Sequence, residues 1–236
     1  MSNNTETKNL QVISGNKQND TDNIVTLLET RQVSDSAYVL RFNRKNFDFE
    51  PGQYLTLGVL DTRQTREYSI YSSVKDEALE VLIKEVEDGF LSLKFKKIKV
   101  GDQLLVDGPF GFFNIEAEEL KTKKFLFVAT GTGISPFHSM IKSYEGKIDY
   151  TLLHGVRNIE EAYDREEYDK DRYILCTSRG NKGDYKGRVT DYLKEHDVDN
   201  ETLVYLCGNS EMIYDVYDIL MSKGMSSDNI RTEVYF

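Results

Sequence analysis

Two glycines separated by one residue follow an apolar run in the second half of the chain. Residues 125–129 have the sequence Phe-Leu-Phe-Val-Ala, which is typical of a parallel strand that is buried on both faces. Gly131 and Gly133 come next, and Pro136 stands where the first turn of a helix is expected. A strand, a glycine turn and a helix N-terminus together suit an anion such as a pyrophosphate. The third glycine of the usual dinucleotide fingerprint is absent, so a plain turn is the alternative.

Three arginines extend this interpretation. Arg157, Arg179 and Arg188 follow predicted strands or turns, with Ser178 beside them, and they would lie on one rim of a parallel sheet. Guanidinium groups suit phosphate oxygens, and two of them on a ribose phosphate would favour NADP over NAD by about a hundredfold. No acidic residue stands at the end of the second strand of this half, where NAD sites have one that binds the ribose hydroxyls. Solvated surface arginines are the alternative.

A second candidate site lies in the first half of the chain. Strand alternation puts Arg66 and Tyr68 on one face, where an arginine beside an aromatic ring suits the phosphate and flat ring of a flavin nucleotide. Gly89 and Ser92 open a predicted helix, which is again a place for phosphate. An exposed arginine, a half-buried tyrosine and an ordinary helix start would give the same pattern.

The elements that must position these residues differ between the two halves. Short apolar and β-branched runs divided by turns predict an antiparallel β-barrel or sandwich over 23–118. Strands predicted at 125–129, 149–156, 172–178 and 202–209 alternate with helical spacing over 119–236. That alternation predicts an α/β domain with a doubly wound parallel sheet, in which ligands bind beyond the carboxyl ends of the strands.

Eight motifs occur in the order and at the separations found in the ferredoxin-NADP reductases. They are Arg66-Glu67-Tyr68-Ser69, Asp88-Gly89-Phe90-Leu91-Ser92, Lys99-Val100-Gly101-Asp102, Gly108-Pro109-Phe110-Gly111, Gly131-Thr132-Gly133-Ile134-Ser135-Pro136, His154-Gly155-Val156-Arg157, Cys207-Gly208-Asn209 and Glu233-Val234-Tyr235-Phe236. The chain resembles that family from about residue 24 to its last residue. The resemblance implies an FAD-binding barrel followed by an NADP-binding α/β domain.

The resemblance assigns one group of residues to FAD. It implies that Arg66 binds the pyrophosphate, Tyr68 lies under the isoalloxazine ring and Ser69 lies near flavin N5. The full set of implied FAD contacts is Arg66, Tyr68, Ser69, Ile83, Lys84, Gly89, Leu91, Ser92, Thr132, Tyr235 and Phe236.

The same resemblance assigns a second group to NADP. The implied contacts are Gly131, Thr132, Gly133, Pro136, Arg157, Ser178, Arg179, Arg188, Cys207, Gly208 and Asn209. Ser69, Cys207 and Glu233 are the implied catalytic residues, which would fix the geometry of hydride transfer between nicotinamide C4 and flavin N5. The protein would orient the reacting groups and exclude water, and the cofactors would supply the redox chemistry.

Two features depart from the plastid members of the family. Residues 72–77 are too short for the hairpin that holds the FAD adenine in those enzymes, so the compact bacterial type, with FAD folded back, is the closer match. The ending Glu233-Val234-Tyr235 nevertheless resembles the plastid one. Tyr235 is expected over the isoalloxazine, and Phe236 over that ring or on the adenine is the alternative.

The partner implied by the resemblance is a one-electron carrier, ferredoxin or flavodoxin. Such carriers are acidic, whereas this chain of 236 residues has 30 basic and 40 acidic residues and a formal charge of -10. Docking would therefore depend on a local patch, for which Lys94, Lys96, Lys97 and Lys99 are the candidates. A solvated helix face is the alternative. The acidic charge argues against nucleic-acid binding.

Other features restrict the function further. Cys176 and Cys207 form no close pair, which excludes a fused cysteine-ligated iron-sulfur centre, and the histidine spacing predicts no metal site. Residues 1–22 are polar and predicted to be disordered, and a cytoplasmic monomer without a membrane span is expected. Three alternative functions stay open: the reductase component of an oxygenase, a free-flavin reductase and a non-enzymatic nucleotide-binding regulatory module.

Overall fold

A closed antiparallel sheet forms the first half of the chain. The computed structural model describes residues 23–62, 64–86, 89–180 and 182–235, so the predicted tail over 1–22 and the predicted FAD contact Phe236 lie outside the described residues. The strands are β1 (Ile24–Ser34), β2 (Ala37–Asn43), β3 (Tyr54–Val59), β4 (Thr65–Ser69), β5 (Ala78–Lys84) and β6 (Gln103–Phe110). They are hydrogen-bonded in the order β4-β3-β6-β1-β2-β5.

The barrel closes where the two outer strands meet. Ile70, directly after β4, pairs with Val81 of β5, which joins the ends of the strand order. Helix α1 (Phe90–Phe95) packs its buried face, Leu91 and Phe95, into the barrel core. The spacing that indicated this helix also included Ile98, which instead packs on the core from the segment after the helix. The predicted antiparallel barrel is confirmed.

A six-stranded parallel sheet forms the second half. Its strands are β7 (Phe125–Thr130), β8 (Tyr150–Val156), β9 (Tyr173–Thr177), β10 (Tyr185–Lys186), β11 (Leu203–Asn209) and β12 (Ile230–Tyr235), in the order β10-β9-β8-β7-β11-β12. The helices of this half are α2 (Glu119–Thr122), α3 (Ser135–Ser143), α4 (Val189–Glu195) and α5 (Ser210–Ser222). The strand order reverses beside β7, which is the switch point where ligands bind in such sheets.

Helices cover both faces of this sheet. Phe137 and Met140 of α3 pack in one core that also contains Val39 of the barrel, while Leu193 of α4 and Val216 of α5 pack in a core on the other face. The predicted doubly wound architecture is confirmed. No helix in the described ranges has the length and apolarity needed to cross a membrane.

A polar network connects the barrel to the parallel-sheet domain. Arg31 of β1 donates two hydrogen bonds, of 2.6 and 2.8 Å, to the Asp164 carboxylate, which also accepts one of 2.8 Å from the Tyr71 hydroxyl. The His138 ring stacks on Tyr71 at 3.8 Å, with Nε2 3.2 Å from Glu167. Folding thus brings His138, Asp164 and Glu167 together, which their sequence spacing did not indicate, and each has protein partners.

We expect Asp164→Ala to lower the free energy of unfolding by about 2–4 kcal/mol, because it leaves the Tyr71 hydroxyl and the Arg31 guanidinium without their acceptor. Urea denaturation measures this loss. The control is Asp149→Ala, which removes an exposed ion pair to Arg172 of similar length, 2.7 Å, and should cost less than about 1 kcal/mol. Equal losses in the two variants would contradict a stabilising role for the buried network.

Candidate active site

The turn after β7 begins with a glycine in the left-handed region. Gly131 has a φ of +54°, and a Cβ placed there would meet no described atom within 4 Å, so the backbone angle rather than crowding favours glycine. Gly133 is required for a different reason, since its Cβ would lie 2.4 Å from the carbonyl oxygen of Cys207. The turn therefore packs directly on the end of β11, and Pro136 follows in the first turn of α3.

A cleft of about 550 Å³ opens at the carboxyl edge of the parallel sheet, and Arg157, Arg179 and Arg188 form one rim of it. Backbone hydrogen bonds from Ser178 to Val156 (3.0 Å) and from Arg179 to Arg157 (2.9 Å) continue the β8–β9 pairing beyond the strands. All three arginines are exposed, and none of them forms an ion pair with a described residue. Their guanidinium groups are available to an anionic ligand.

Most residues predicted to contact NADP line this cleft. These are Gly131, Thr132, Arg157, Ser178, Arg179, Arg188, Gly208 and Asn209. Gly133, Pro136 and Cys207 lie behind the surface, where they are buried and shape the cleft by packing. Lys84 and Tyr235, which were predicted to contact FAD, also line it. The cleft therefore extends from the arginine rim to the C-terminal strand.

The three predicted catalytic side chains lie together at the seam between barrel and sheet. The Ser69 hydroxyl at the end of β4 donates a hydrogen bond of 3.2 Å to Glu233 Oε2, and Cys207 of β11 is the register partner of Glu233 in β12. Tyr235 lies two residues further along β12, on the same face as Glu233. Its hydroxyl is buried and has no hydrogen-bond partner among the described residues.

The electrostatics of this cluster favour uncharged side chains. Burial raises the pKa of Glu233 to about 7, with the Ser69 hydrogen bond acting against this shift and the nearby Glu67 charge adding to it. Burial also raises the pKa of the Cys207 thiol well above its usual value. Cys207 is therefore a neutral thiol at physiological pH, and Glu233 can be protonated or ionised there.

The predicted flavin grip on β4 has an exposed guanidinium beside a half-buried ring. Arg66 is exposed, and its Nη1 donates only to the carbonyl of the adjacent Thr65, at 3.0 Å, among the hydrogen bonds of the described chain. Tyr68 packs edge-on against Phe95, with ring centroids 6.1 Å apart, and burial raises its pKa to about 12. The ring is thus held in place while the arginine is free to bind a ligand.

The Ser92 hydroxyl holds the backbone around Gly89, another predicted FAD contact. It donates to the Gly89 carbonyl at 3.1 Å and accepts from the Val86 N–H at 3.3 Å. A Cβ on Gly89 would lie 2.4 Å from this hydroxyl oxygen, so glycine is needed there. The side chains of Leu91 and Ile83 are buried in the barrel core, so any contact of these two residues with FAD would be made by their backbone.

Three side chains that shape the cleft were assigned no role from the sequence. Thr130 Oγ1 accepts from the backbone and side-chain amides of Asn209, at 3.4 and 3.3 Å. His154 is fully buried. Its Nε2 lies 3.0 Å from the Gly131 carbonyl oxygen, and its Nδ1 lies 2.7 Å from the hydroxyl of Tyr173, the third of these side chains. The available signal was a polar residue within an otherwise apolar strand.

Two family models match the chain. One, described as an oxidoreductase FAD-binding domain, matches residues 24–115, and the other, described as an oxidoreductase NAD-binding domain, matches residues 127–218. The first corresponds to the barrel and the second to the parallel sheet with its cleft. The chain belongs to the ferredoxin-NADP reductase family. It is an oxidoreductase with an FAD-binding domain and an NAD(P)-binding domain.

Curated proteins of similar sequence are named for several different enzyme systems. The chain is 29% identical over 87% of its length to the toluate 1,2-dioxygenase electron transfer component of Pseudomonas putida, and it spans 65% of that protein. It is 29% identical over 85% of its length to the flavodoxin/ferredoxin--NADP reductase of Rhodobacter capsulatus, and spans 86% of it. It is 30% identical over 86% of its length to a probable dihydroorotate dehydrogenase B electron transfer subunit of Thermococcus kodakarensis, and spans 81% of it.

Solved structures have the same fold. A ferredoxin NADP+ reductase from Neisseria gonorrhoeae with bound FAD and NADP matches with a TM-score of 0.80 at 24% identity, over 90% of this chain and 98% of that one. A ferredoxin-NADP+ reductase from Plasmodium falciparum matches with a TM-score of 0.79 at 25% identity, over 90% of this chain and 96% of that one.

The raised pKa of Glu233 predicts a pH dependence of stability. Because the folded-state pKa of about 7 lies above the ordinary glutamate value of 4.5, unfolding releases a proton between these pH values and stability falls as pH rises through them. We expect flavin-free wild-type protein to lose on the order of 2 kcal/mol of unfolding free energy from pH 4.5 to 8 relative to Glu233→Gln.

Urea denaturation across this pH range tests the prediction. The control is Glu145→Gln, which removes an exposed carboxylate and should keep the wild-type dependence on pH. Parallel pH profiles for wild type and Glu233→Gln would contradict the raised pKa.

Proposed function

We propose that this protein is an FAD-dependent reductase that exchanges electrons between NADPH and a one-electron carrier protein, ferredoxin or flavodoxin. The observation that carries the proposal is the continuity of the cleft. It extends from three exposed arginines to Tyr235, and the strand of Tyr235 holds Glu233 against Ser69 at the end of the flavin-grip strand. Two nucleotides bound at these places would meet at this seam.

The residues present fit FAD. The exposed Arg66 guanidinium suits a pyrophosphate, Tyr68 offers a ring held by Phe95, and Tyr235 lines the cleft. Gly89 and Ser92 would close over the pyrophosphate. When bound, FAD supplies a group that accepts a hydride and releases electrons singly.

The chain's own side chains would orient the reactants and control protons. Ser69 and Glu233 hold each other by their hydrogen bond, so neither side chain rotates freely in the site. The buried thiol of Cys207 stays protonated and presents a neutral contact. Glu233, whose pKa is near neutrality, can hold or release a proton at Oε2.

The arginine rim supports NADPH as the electron donor. Arg157, Arg179 and Arg188 converge on one end of the cleft with Ser178, and no described acidic residue pairs with them. Glu161, Glu211 and Asp215 also line the cleft and would repel a phosphate, whereas the arginines would attract the ribose phosphate. An extra ribose phosphate there is the feature that distinguishes NADPH from NADH.

The proposed docking patch for a carrier is partly neutralised. Lys94 forms an ion pair with Asp61, and Lys96 forms one with Glu85 at 2.6 Å. Lys97 and Lys99 are exposed and have no ion pair within the described ranges. These two lysines would carry most of the electrostatic attraction for an acidic carrier.

A reductase component of an oxygenase is the second candidate. The similarity to the toluate dioxygenase component supports it, because the same cleft and seam could serve a different electron acceptor. A free-flavin reductase would need to release its flavin, and a regulatory module would not turn over.

We expect Arg179→Ala to raise the KM for NADPH by at least tenfold, because it removes a charge-assisted hydrogen bond worth roughly 1.5–3 kcal/mol. Steady-state assays with NADPH and NADH measure this. The KM for NADH should stay near the wild-type value, since NADH lacks the ribose phosphate. Arg172→Ala is the control, because Arg172 pairs with Asp149 away from the cleft. An unchanged KM for NADPH in Arg179→Ala would show that the phosphate binds elsewhere.

The purified protein should be yellow with tightly bound FAD, and NADPH should bleach it. Stopped-flow reduction of a panel of ferredoxins, flavodoxins and an oxygenase component then identifies the acceptor class. For an acidic carrier, the rate should fall as ionic strength rises. A colourless protein, or one that NADPH does not bleach, would contradict the reductase, and a salt-independent rate would contradict docking through Lys97 and Lys99.

A further inference from the structure

A buried histidine connects the core of the parallel sheet to the turn at the floor of the cleft. His154 of β8 is 0% exposed, and both of its ring nitrogens have partners. Nδ1 lies 2.7 Å from the Tyr173 hydroxyl, and Nε2 lies 3.0 Å from the carbonyl oxygen of Gly131. Burial lowers the pKa of His154 to about 4, so the ring is neutral at physiological pH and carries one proton.

The two partners determine which nitrogen carries that proton. The Gly131 carbonyl can only accept a hydrogen bond, so Nε2 must donate to it. Nδ1 is then an acceptor, and the Tyr173 hydroxyl donates to it. The other tautomer would place a lone pair of Nε2 against the carbonyl oxygen. The Gly131 carbonyl therefore selects the tautomer in which His154 binds the turn, and the Tyr173 hydroxyl orients the ring by donating to Nδ1.

The direction of the Gly131 carbonyl decides the direction of the next N–H group. The Gly131–Thr132 peptide is trans, since Gly108–Pro109 is the only cis bond among the described residues. In a planar trans peptide the C=O and the following N–H point in opposite directions. The carbonyl faces the buried His154, so the Thr132 N–H faces away from the core, and Thr132 lines the cleft.

This turn needs such a restraint. Gly131 has a φ of +54° and no described atom within 4 Å of where a Cβ would stand, and glycine has more accessible backbone conformations than any other residue. The next carbonyl, that of Thr132, is held by the Ser135 hydroxyl at 2.8 Å. Side chains thus hold both successive carbonyls of the turn, and the N–H groups opposite them are oriented in advance of binding.

We propose that His154, oriented by Tyr173, is a positioning residue that holds the Gly131 peptide in the orientation that binds the dinucleotide diphosphate. The inference rests on the proposed function, because NADP(H) is the ligand whose diphosphate the turn would take. The arginine rim, which would bind the ribose phosphate, makes no contact with His154 in the described hydrogen bonds. Loss of His154 should therefore weaken binding of the whole dinucleotide and spare a fragment that lacks the diphosphate.

The test compares NADP+ with adenosine 2′-phosphate as ligands of the FAD-loaded protein, by isothermal titration calorimetry. We expect His154→Leu to raise the Kd of NADP+ about tenfold, because the turn loses a buried hydrogen bond, and to change the Kd of adenosine 2′-phosphate less than twofold. His154→Gln, whose Nε2 can still donate to the Gly131 carbonyl, should restore most of the NADP+ affinity. Tyr173→Phe, which removes only the hydroxyl, should raise the Kd of NADP+ about threefold.

The other possible outcomes of this test bear on the positioning role as follows. An unchanged Kd of NADP+ in His154→Leu, or equal weakening of both ligands, would overturn the positioning role. If His154→Leu does not fold, Tyr173→Phe decides by the same two ligands. Wild-type protein that binds neither ligand would overturn the proposed NADP site and the positioning role with it. That failure is recognisable because it appears without any substitution.

Discussion

One apolar layer between the barrel and the parallel sheet determines the geometry of the whole site. Strand β2 is buried on both faces, with Leu40 in the barrel core and Val39 in the core that contains Phe137 of α3. Because this layer seats the barrel against one face of the sheet, the end of β4 meets the end of β12. The Ser69–Glu233 hydrogen bond is the local result. Sites from the two halves of the chain are thereby brought to one seam.

The charge distribution of the cleft matches a ligand with a charged and an uncharged end. Three exposed arginines form the rim, although the chain as a whole has a formal charge of -10. At the seam between barrel and sheet, next to Tyr235 at the other end of the cleft, burial keeps Cys207 neutral and places the pKa of Glu233 near neutrality. Under the proposed function, a weakly charged seam would favour transfer of a hydride between two rings, while the rim would supply binding energy remote from the reacting atoms.

Patterns of short range were sufficient to predict much of the architecture. The strands at 125–129, 149–156, 172–178 and 202–209 agree with β7, β8, β9 and β11 to within about one residue at each end, because a parallel strand buried on both faces is a continuous apolar run. The turn at Gly131 was predicted from glycine spacing and Pro136. Its positive φ confirms why glycine stands there. The family motifs assigned the arginines to one site, and the strand-end hydrogen bonds between Arg157 and Arg179 show how the rim forms.

The sequence by itself determined the fold class, the order of the elements and the chemical types gathered at the strand ends, since these depend on periodicity and on residues close in the chain. Only the tertiary structure decided which of those groups are in direct contact. The family resemblance assigned Ser69 and Glu233 to one catalytic group, but their hydrogen bond joins residues 164 apart in the chain, and the roles of His154 and Tyr173 depend on the depth at which neighbouring strands bury them. Such contacts depend on the packing of whole layers, and the spacing of residues along the chain does not encode them locally.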